Sequence, residues 1–399
     1  MLLHFLGAAD PKARWSTALM GALALSCSFY TDCPCANQPA KPVDPTGAGG
    51  SAGAGASGGA TTGGLGGSGT GDAGEGGAGG TMIDPGVWIP ASGDLAGKST
   101  ACGNVTFMSA KPDGSLLIAA IAEDGLWGSR DGGESWDALG SGSRSALVSN
   151  ITTSIVYDPN ASDTFWEVGI YGPGVFRTDD DGENFSPLGT IIHNDYLAVD
   201  FTDPKRQLLL AGGHEQAQVL HRSLDGGENW EDVGAAIPEE CKWSSFPLIL
   251  DANTFLLGCW NGILRSSDGG ESWDILASYG GANVPLVTSS GLMFWNIDVA
   301  DGLVRSSDGG ETWERVVGGG VISNVTPIEL PDGSLATTGS NMVLRSTDDG
   351  ESWEALTPAA PFTPRGVVYS REEQAFFVWQ STCEPEIPEN AILRFDYAI

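Results

Sequence analysis

The chain is poor in positive charge: 19 Lys and Arg stand against 51 Asp and Glu in 399 residues, a formal net charge of −32. Nucleic-acid binding takes its affinity from Lys and Arg neutralising phosphates, so that class is excluded. Anionic lipid surfaces are disfavoured for the same reason. Histidine is scarce as well. Of the four, His4 lies in the leader, and His193, His214 and His221 show no HExxH spacing. Each reads as a surface or structural histidine rather than a ligand. A Gly-x-Ser-x-Gly elbow, a P-loop with its lysine and a dinucleotide fingerprint are all missing. The seven cysteines, at 27, 33, 35, 102, 241, 259 and 383, form no paired CxxC groups with a matching histidine spacing, so no metal and no cofactor are expected. No long helical pattern occurs anywhere. The chain reads as all-β.

What is present is a repeat. Arg265-Ser266-Ser267-Asp268-Gly269-Gly270-Glu271-Ser272-Trp273 returns, lightly edited, five times. The shared pattern is Ser/Thr-x-Asp-x-Gly-x-x-aromatic. It is carried by Ser129, Asp131, Gly133 and Trp136; by Thr178, Asp180, Gly182 and Phe185; by Ser223, Asp225, Gly227 and Trp230; by Ser266, Asp268, Gly270 and Trp273; by Ser306, Asp308, Gly310 and Trp313; and by Ser346, Asp348, Gly350 and Trp353. Successive aspartates lie 49, 45, 43, 40 and 40 residues apart. A period of that size signals stacked supersecondary units. Asp and Ser/Thr side chains accept hydrogen bonds from nearby amides and so fold a tight turn. Glycine supplies the positive φ, and the aromatic opens the next strand and tucks under the turn. Apolar runs flank each copy, as a β-hairpin requires.

This pattern resembles the Asp box, or BNR repeat, of sialidases, sortilin-type receptors, certain xyloglucan hydrolases and photosystem II assembly factors. The resemblance implies a β-propeller in which each box caps the hairpin between the third and fourth strands of a blade. It implies no activity, since such folds host many functions.

Six boxes do not make six blades. After Trp353 come three strand-like runs, Gly366 to Tyr369, Ala375 to Trp379 and Ala391 to Phe395, with no box. The missing fourth strand has a candidate at the other end, Val87-Trp88-Ile89-Pro90. The expected fold is one β-propeller of seven four-stranded blades, closed by the N-terminal strand completing the last blade, with six or eight blades as competitors. Such closure leaves no open sheet edge.

Residues 1–26 read as an export signal, Lys12 and Arg14 followed by an apolar run too short to span a bilayer permanently. Ala24-Leu25-Ser26-Cys27 resembles a lipobox, with Ala24 where leucine is usual, which makes Cys27 the lipidation candidate and plain secretion the alternative. Residues 27–83 hold that site and a tether. Between Gly47 and Gly80, 18 of 34 residues are glycine, a composition that buries no core. Residues 84–399 are the propeller, with 16 basic against 46 acidic residues, a net −30. In an exported chain disulfides persist. The start of a blade's first strand and the end of its second lie on one face, which pairs Cys241 with Cys259. Cys102 and Cys383 would clasp the ring where it closes.

The sialidases that the boxes resemble use three arginines from different blades, a Tyr–Glu nucleophile pair, an acid/base Asp and a Phe/Tyr-Arg-Ile-Pro segment, which is not found here. The arginines at 177, 222, 265, 305, 345 and 394 all occupy one repeat-equivalent position and read as structural. Paired glycosidase carboxylates stand about 5–9.5 Å apart, and no spacing in the sequence singles out such a pair, so no catalytic residue is assigned. The expected function is non-enzymatic binding of a protein or polysaccharide at the cell envelope, with a sialidase-like glycoside hydrolase as the alternative. The expected carrier is a monomer without nucleic-acid partners, touching membrane only through its lipid anchor, as an outer-membrane or cell-surface lipoprotein or a secreted protein. The contact face expected is the one opposite the boxes, at Gly212 to Gln218, Ile237 to Trp243 and Thr382 to Asn390.

Overall fold

The computed structural model describes residues 86–399 except 102, 123, 242–244, 260, 298–301, 318–321 and 323–324. The expected signal segment, Cys27 and the tether therefore lie outside the described residues. Seven four-stranded antiparallel sheets follow one another along the chain, at residues 105–138, 151–187, 194–232, 246–277, 282–317, 328–355 and 367–396. They are blades 1 to 7. In blades 1 to 6 strand order follows chain order. In blade 7 the fourth position is taken by Ile89–Pro90, which pairs antiparallel with Ile392–Asp396, Ile89 opposite Arg394 and Pro90 opposite Leu393. The chain is a seven-bladed β-propeller whose last blade is completed from the N-terminus.

The core explains why the sheets stack. Second strands such as Leu117–Ile121, Phe255–Cys259 and Ala375–Trp379 are buried along their whole length, because each is covered on both faces by a neighbouring blade. Side chains then divide between two interfaces. In Phe165–Ile170, Phe165 packs toward blade 1 while Trp166 and Val168 pack toward blade 3. Seven apolar clusters result, one between each pair of adjacent blades, including the pair 7 and 1. Outer strands such as Glu231–Asp232 and Glu354–Ala355 are two exposed residues long. Short, charged edges of that kind offer little template for intermolecular pairing.

The strand at the N-terminus is shorter than the sequence suggests, and the residues after it seal the ring. Ala91 and Leu95 are buried in the cluster between blades 7 and 1. Ser92 Oγ accepts from Ile392 N at 3.0 Å, and Asp94 Oδ1 accepts from Trp136 N at 2.9 Å. The Trp136 indole donates to Ala91 O at 3.2 Å. Trp88 contributes its ring, 5.3 Å from Phe395. Closure is thus a packed seam of about ten residues, with the two-residue ladder as one part of it.

Cys241 and Cys259 are disulfide-bonded with Cα atoms 5.4 Å apart. Cys383 is also disulfide-bonded, and its expected partner Cys102 lies outside the described residues. The neighbours of both cysteines meet: Gly103 N donates to Thr382 O at 2.9 Å, and Ser381 Oγ donates to Gly103 O at 2.7 Å.

Candidate functional site

Antiparallel order 1-2-3-4 puts the 1–2 and 3–4 connections at one end of every blade and the 2–3 and 4–1 connections at the other. The first end carries the six aspartate turns. Each is wired alike. In blade 4, Ser266 Oγ accepts from Gly270 N at 2.8 Å and donates to Asp268 Oδ1 at 2.8 Å. Asp268 Oδ1 accepts from Ser272 N at 2.9 Å, and Oδ2 from Ser272 Oγ at 2.6 Å. Hydrogen bonds from the Ser272 hydroxyl and amide hold the Asp268 carboxyl at about 2. Sequence reasoning missed this last partner. Yet Ser135, Asn184, Asn229, Ser272, Thr312 and Ser352 stand at the same place in all six copies, each bonding the aspartate through its side chain. The signal was a hydroxyl or amide just before every aromatic.

The turn aromatics reach further than under their own turn. Phe185 of blade 2 packs into the cluster shared with blade 1, and Trp313 of blade 5 into the one shared with blade 4. The repeated arginines complete this end. Arg222, Arg265 and Arg305 each donate to a turn carbonyl of the following blade, at Gly269, Gly309 and Asp349 (2.8, 3.1 and 3.0 Å). They pair in addition with glutamates: Arg222 with Glu231 at 2.7 Å and Arg305 with Glu314 at 2.6 Å. Arg394 pairs with Glu373 and Asp396. A cleft of about 350 Å³ opens at this end between blades 2 and 3, but it is lined by Arg177, Asp179, Asp225 and Glu228 of the repeat itself. Arg177 is already bound to Asp179 at 2.6 Å.

The opposite end is organised differently. At the centre, the Tyr196 hydroxyl donates to Asn283 Oδ1 at 3.0 Å, joining the first strands of blades 3 and 5, and the Tyr196 ring packs on Phe246 at 4.8 Å. Burial pushes the Tyr196 phenol well above its ordinary value. Off-centre, over blades 2 and 3, Tyr171, His193, His214 and Asp195 come together. Ring centroids lie 5.0 Å apart for Tyr171 and His193, 5.9 Å for Tyr171 and His214, and 4.8 Å for the two histidines. Both Asp195 oxygens lie on His214 Nδ1, at 2.8 and 2.9 Å. Burial works against charge on His214, but the Asp195 hydrogen bond and carboxylate outweigh it and raise its pKa. Burial and the neighbouring His214 lower that of His193. From sequence both histidines read as isolated; they stand 21 positions apart at the paired ends of the first two strands of blade 3, where His214 N donates to His193 O at 3.0 Å, and Tyr171 reaches them from blade 2. His221 is elsewhere, its Nδ1 3.1 Å from Asn194 Nδ2. Among the described residues no group of three or more His, Cys, Asp or Glu is arranged to hold a metal ion.

Of the three expected contact segments, Gly212 to Gln218 brings His214 to this cluster. Thr382 to Asn390 is instead strapped to the ring seam: Ile387 N donates to Lys98 O at 3.0 Å, and Asn104 Nδ2 to Glu384 O at 3.0 Å. In Ile237 to Trp243, Ile237 and Cys241 are buried anchors, and the last two residues lie outside the described set.

One carboxyl has the raised pKa expected of a glycosidase acid. Burial pushes Glu167 up to about 8, with the Thr152 and Asn150 side chains pulling the other way. Its exposure is 0%, inside blade 2, so no substrate reaches it. Its effect is on stability. The unfolded carboxyl ionises near 4.3 while the folded one stays protonated to about 8. Between those values the unfolded chain binds fewer protons, so stability falls by about 1.4 kcal/mol per pH unit as pH rises. Glu167→Gln removes that dependence. Urea unfolding should show the variant gaining on wild type from pH 5 to pH 8, and parallel pH curves would contradict the assignment.

No protein-family model matches the chain, and no curated protein matches it. Solved structures do. YCF48 bound to D1 peptide is 15% identical, with a TM-score of 0.51 over 79% of this chain and 98% of that one. The extracellular domain of a B. thetaiotaomicron protein described as a hybrid two component system is 14% identical, with a TM-score of 0.55 over 79% of this chain. An ancestral GH74 enzyme is 16% identical, with a TM-score of 0.51 over 75% of this chain. This chain spans 42% and 45% of the latter two, less than half their length. The likeness shows a propeller fold shared by binding proteins and hydrolases.

Proposed function

We propose that this chain is a non-enzymatic, exported β-propeller, anchored through lipid at Cys27, that binds a polysaccharide or protein of the cell envelope. The binding face is the one opposite the aspartate turns. The observation that carries this reading is the placement of the arginines. A sialidase-like site needs arginines converging on the central pocket, whereas Arg222, Arg265, Arg305, Arg345 and Arg394 stand at the turn end, each paired with a carboxylate or a turn carbonyl. The centre of the opposite face is bridged by Tyr196 and Asn283. YCF48 bound to D1 peptide offers a precedent for a propeller of this extent in a binding role.

The test places a photo-cross-linker at exposed Ala217, in the 2–3 connection of blade 3, or at exposed Glu271 in an aspartate turn. Irradiation with the envelope fraction should give adducts from Ala217 and not from Glu271. The protein should release no fluorophore from a fluorogenic sialoside. Adducts from the turn end alone, or sialoside turnover by the purified propeller, would refute the reading. The anchor is checked separately by Cys27→Ala, which moves the protein from the membrane fraction to the soluble one.

A further inference from the structure

The Tyr171 cluster is built as a binding site in ways that a structural aromatic cluster does not require. Tyr171 is 58% exposed although three rings pack together there. Tyr171 and His193 both hold left-handed backbone, at φ 59° and 62°, and so do Glu215 and Gln218 in the adjoining connection, at 51° and 56°. Bulky residues rarely adopt that region, and such strain gathers where a surface is shaped for a ligand. Exposed Ile192 flanks the cluster, bridged in the backbone to Pro173.

The hydrogen bonds also define what the two imidazoles offer. The Tyr171 amide donates to His193 Nδ1 at 3.3 Å, so the neutral ring carries its proton on Nε2. His214 Nδ1 faces the Asp195 carboxylate, so its proton sits on Nδ1, and Nε2 is an acceptor in the neutral ring and a donor in the charged ring that Asp195 favours. With His214 neutral, one ring presents a donor and its neighbour an acceptor, 4.8 Å apart between centroids. That donor–acceptor pair beside an exposed tyrosine matches a sugar, whose apolar ring face stacks on an aromatic while adjacent hydroxyls both accept and donate. The propeller's net charge of −30 repels uronates and sulfated glycans. We propose that Tyr171, His193 and His214 form a subsite for a neutral pyranose of a polysaccharide, Tyr171 stacking on the ring while the His193 and His214 Nε2 atoms bond two adjacent hydroxyls. This rests on the binding face proposed above and chooses polysaccharide over protein as its occupant.

The experiment is affinity electrophoresis of the propeller in native gels containing dextran, laminarin, galactomannan or, as the anionic control, polygalacturonate. At least one neutral polymer should retard the wild-type protein, and polygalacturonate should not. Tyr171→Ala, at an exposed position, should weaken that retardation at least about tenfold with an unchanged unfolding midpoint, and His193→Ala should weaken it as well. Retardation that survives Tyr171→Ala would overturn the subsite while leaving the face intact. No retardation by any neutral polymer would overturn the polysaccharide assignment, while Ala217 cross-linking to a protein would still support the face.

Discussion

Deleting residues 84–95 should lower the unfolding midpoint of the entire propeller rather than trim an end. The segment supplies the fourth strand of blade 7 and the plug between blades 7 and 1. Its loss removes Leu95, 1% exposed, worth about 1.5–3 kcal/mol of burial. It strips the Trp136 amide of Asp94 and the Ile392 amide of Ser92. Each buried group left without a partner costs about 1–3 kcal/mol. These losses fall on one interface of a closed ring, where stability is typically about 5–15 kcal/mol in total, so the truncated ring should unfold at a much lower temperature. The control deletes residues 47–80, whose glycine-rich composition buries no core. Its midpoint should match wild type. Equal, wild-type-like midpoints for both deletions would show that the seam is dispensable.

The second large effect is expected at Asp158, in the 1–2 turn of blade 2. Arg206, in the 1–2 turn of blade 3, grips it in a two-pronged ion pair, Nε to Oδ2 at 2.8 Å and Nη2 to Oδ1 at 2.9 Å. The side chains are only 8% and 6% exposed. Burial removes water as an alternative partner, so breaking the pair leaves Nε and Nη2 of the guanidinium without their carboxylate, while Nη1 keeps the Phe201 and Asp203 carbonyls. Such a break costs about 3–5 kcal/mol, whereas replacing both partners with apolar residues is often neutral. Asp158→Ala should therefore shift the urea midpoint sharply, and the double variant Asp158→Leu/Arg206→Met should recover most of the loss. The Arg206 hydrogen bond lowers the Asp158 pKa below its ordinary value. The pair's contribution is thus present above the unfolded value near 3.9 and fades as pH falls through the lower folded one. A single variant as stable as wild type at pH 7 would show that the pair is silent.

Neither feature was equally open to sequence reading. The strand at Ile89 was legible because an unpartnered three-stranded blade and a lone N-terminal run complement one another. The seal by Ala91, Ser92, Asp94 and Leu95 was not, since no periodicity marks a plug whose partners lie some 40 and 300 residues away. Asp158 and Arg206 each sit in an ordinary turn, 48 residues apart, and nothing local says that they meet.

By itself the sequence carried the architecture: an all-β ring expected to have seven blades rather than six or eight, the turn at the end of six third strands, and Cys241–Cys259 as a candidate bond. These are properties of a unit that recurs, and a unit's internal hydrogen bonds join residues two to four positions apart, as Ser266, Asp268, Gly270 and Ser272 do. Tertiary structure alone decided what lies at the other end. Tyr171, His193 and His214 lie on connections that differ from blade to blade, and Asp195 lies at the start of the strand after His193. The first hairpin of blade 3 brings the two histidines within 4.8 Å, and the stacking of blade 2 against blade 3 adds Tyr171. The repeated arginines read as structural from the sequence, and the structure adds their partners: the end of a third strand points Arg222, Arg265 and Arg305 at the next blade's turn carbonyl. A repeat is readable because it is local. The candidate site arises where the repeat is broken, and contact across blades is what completes it.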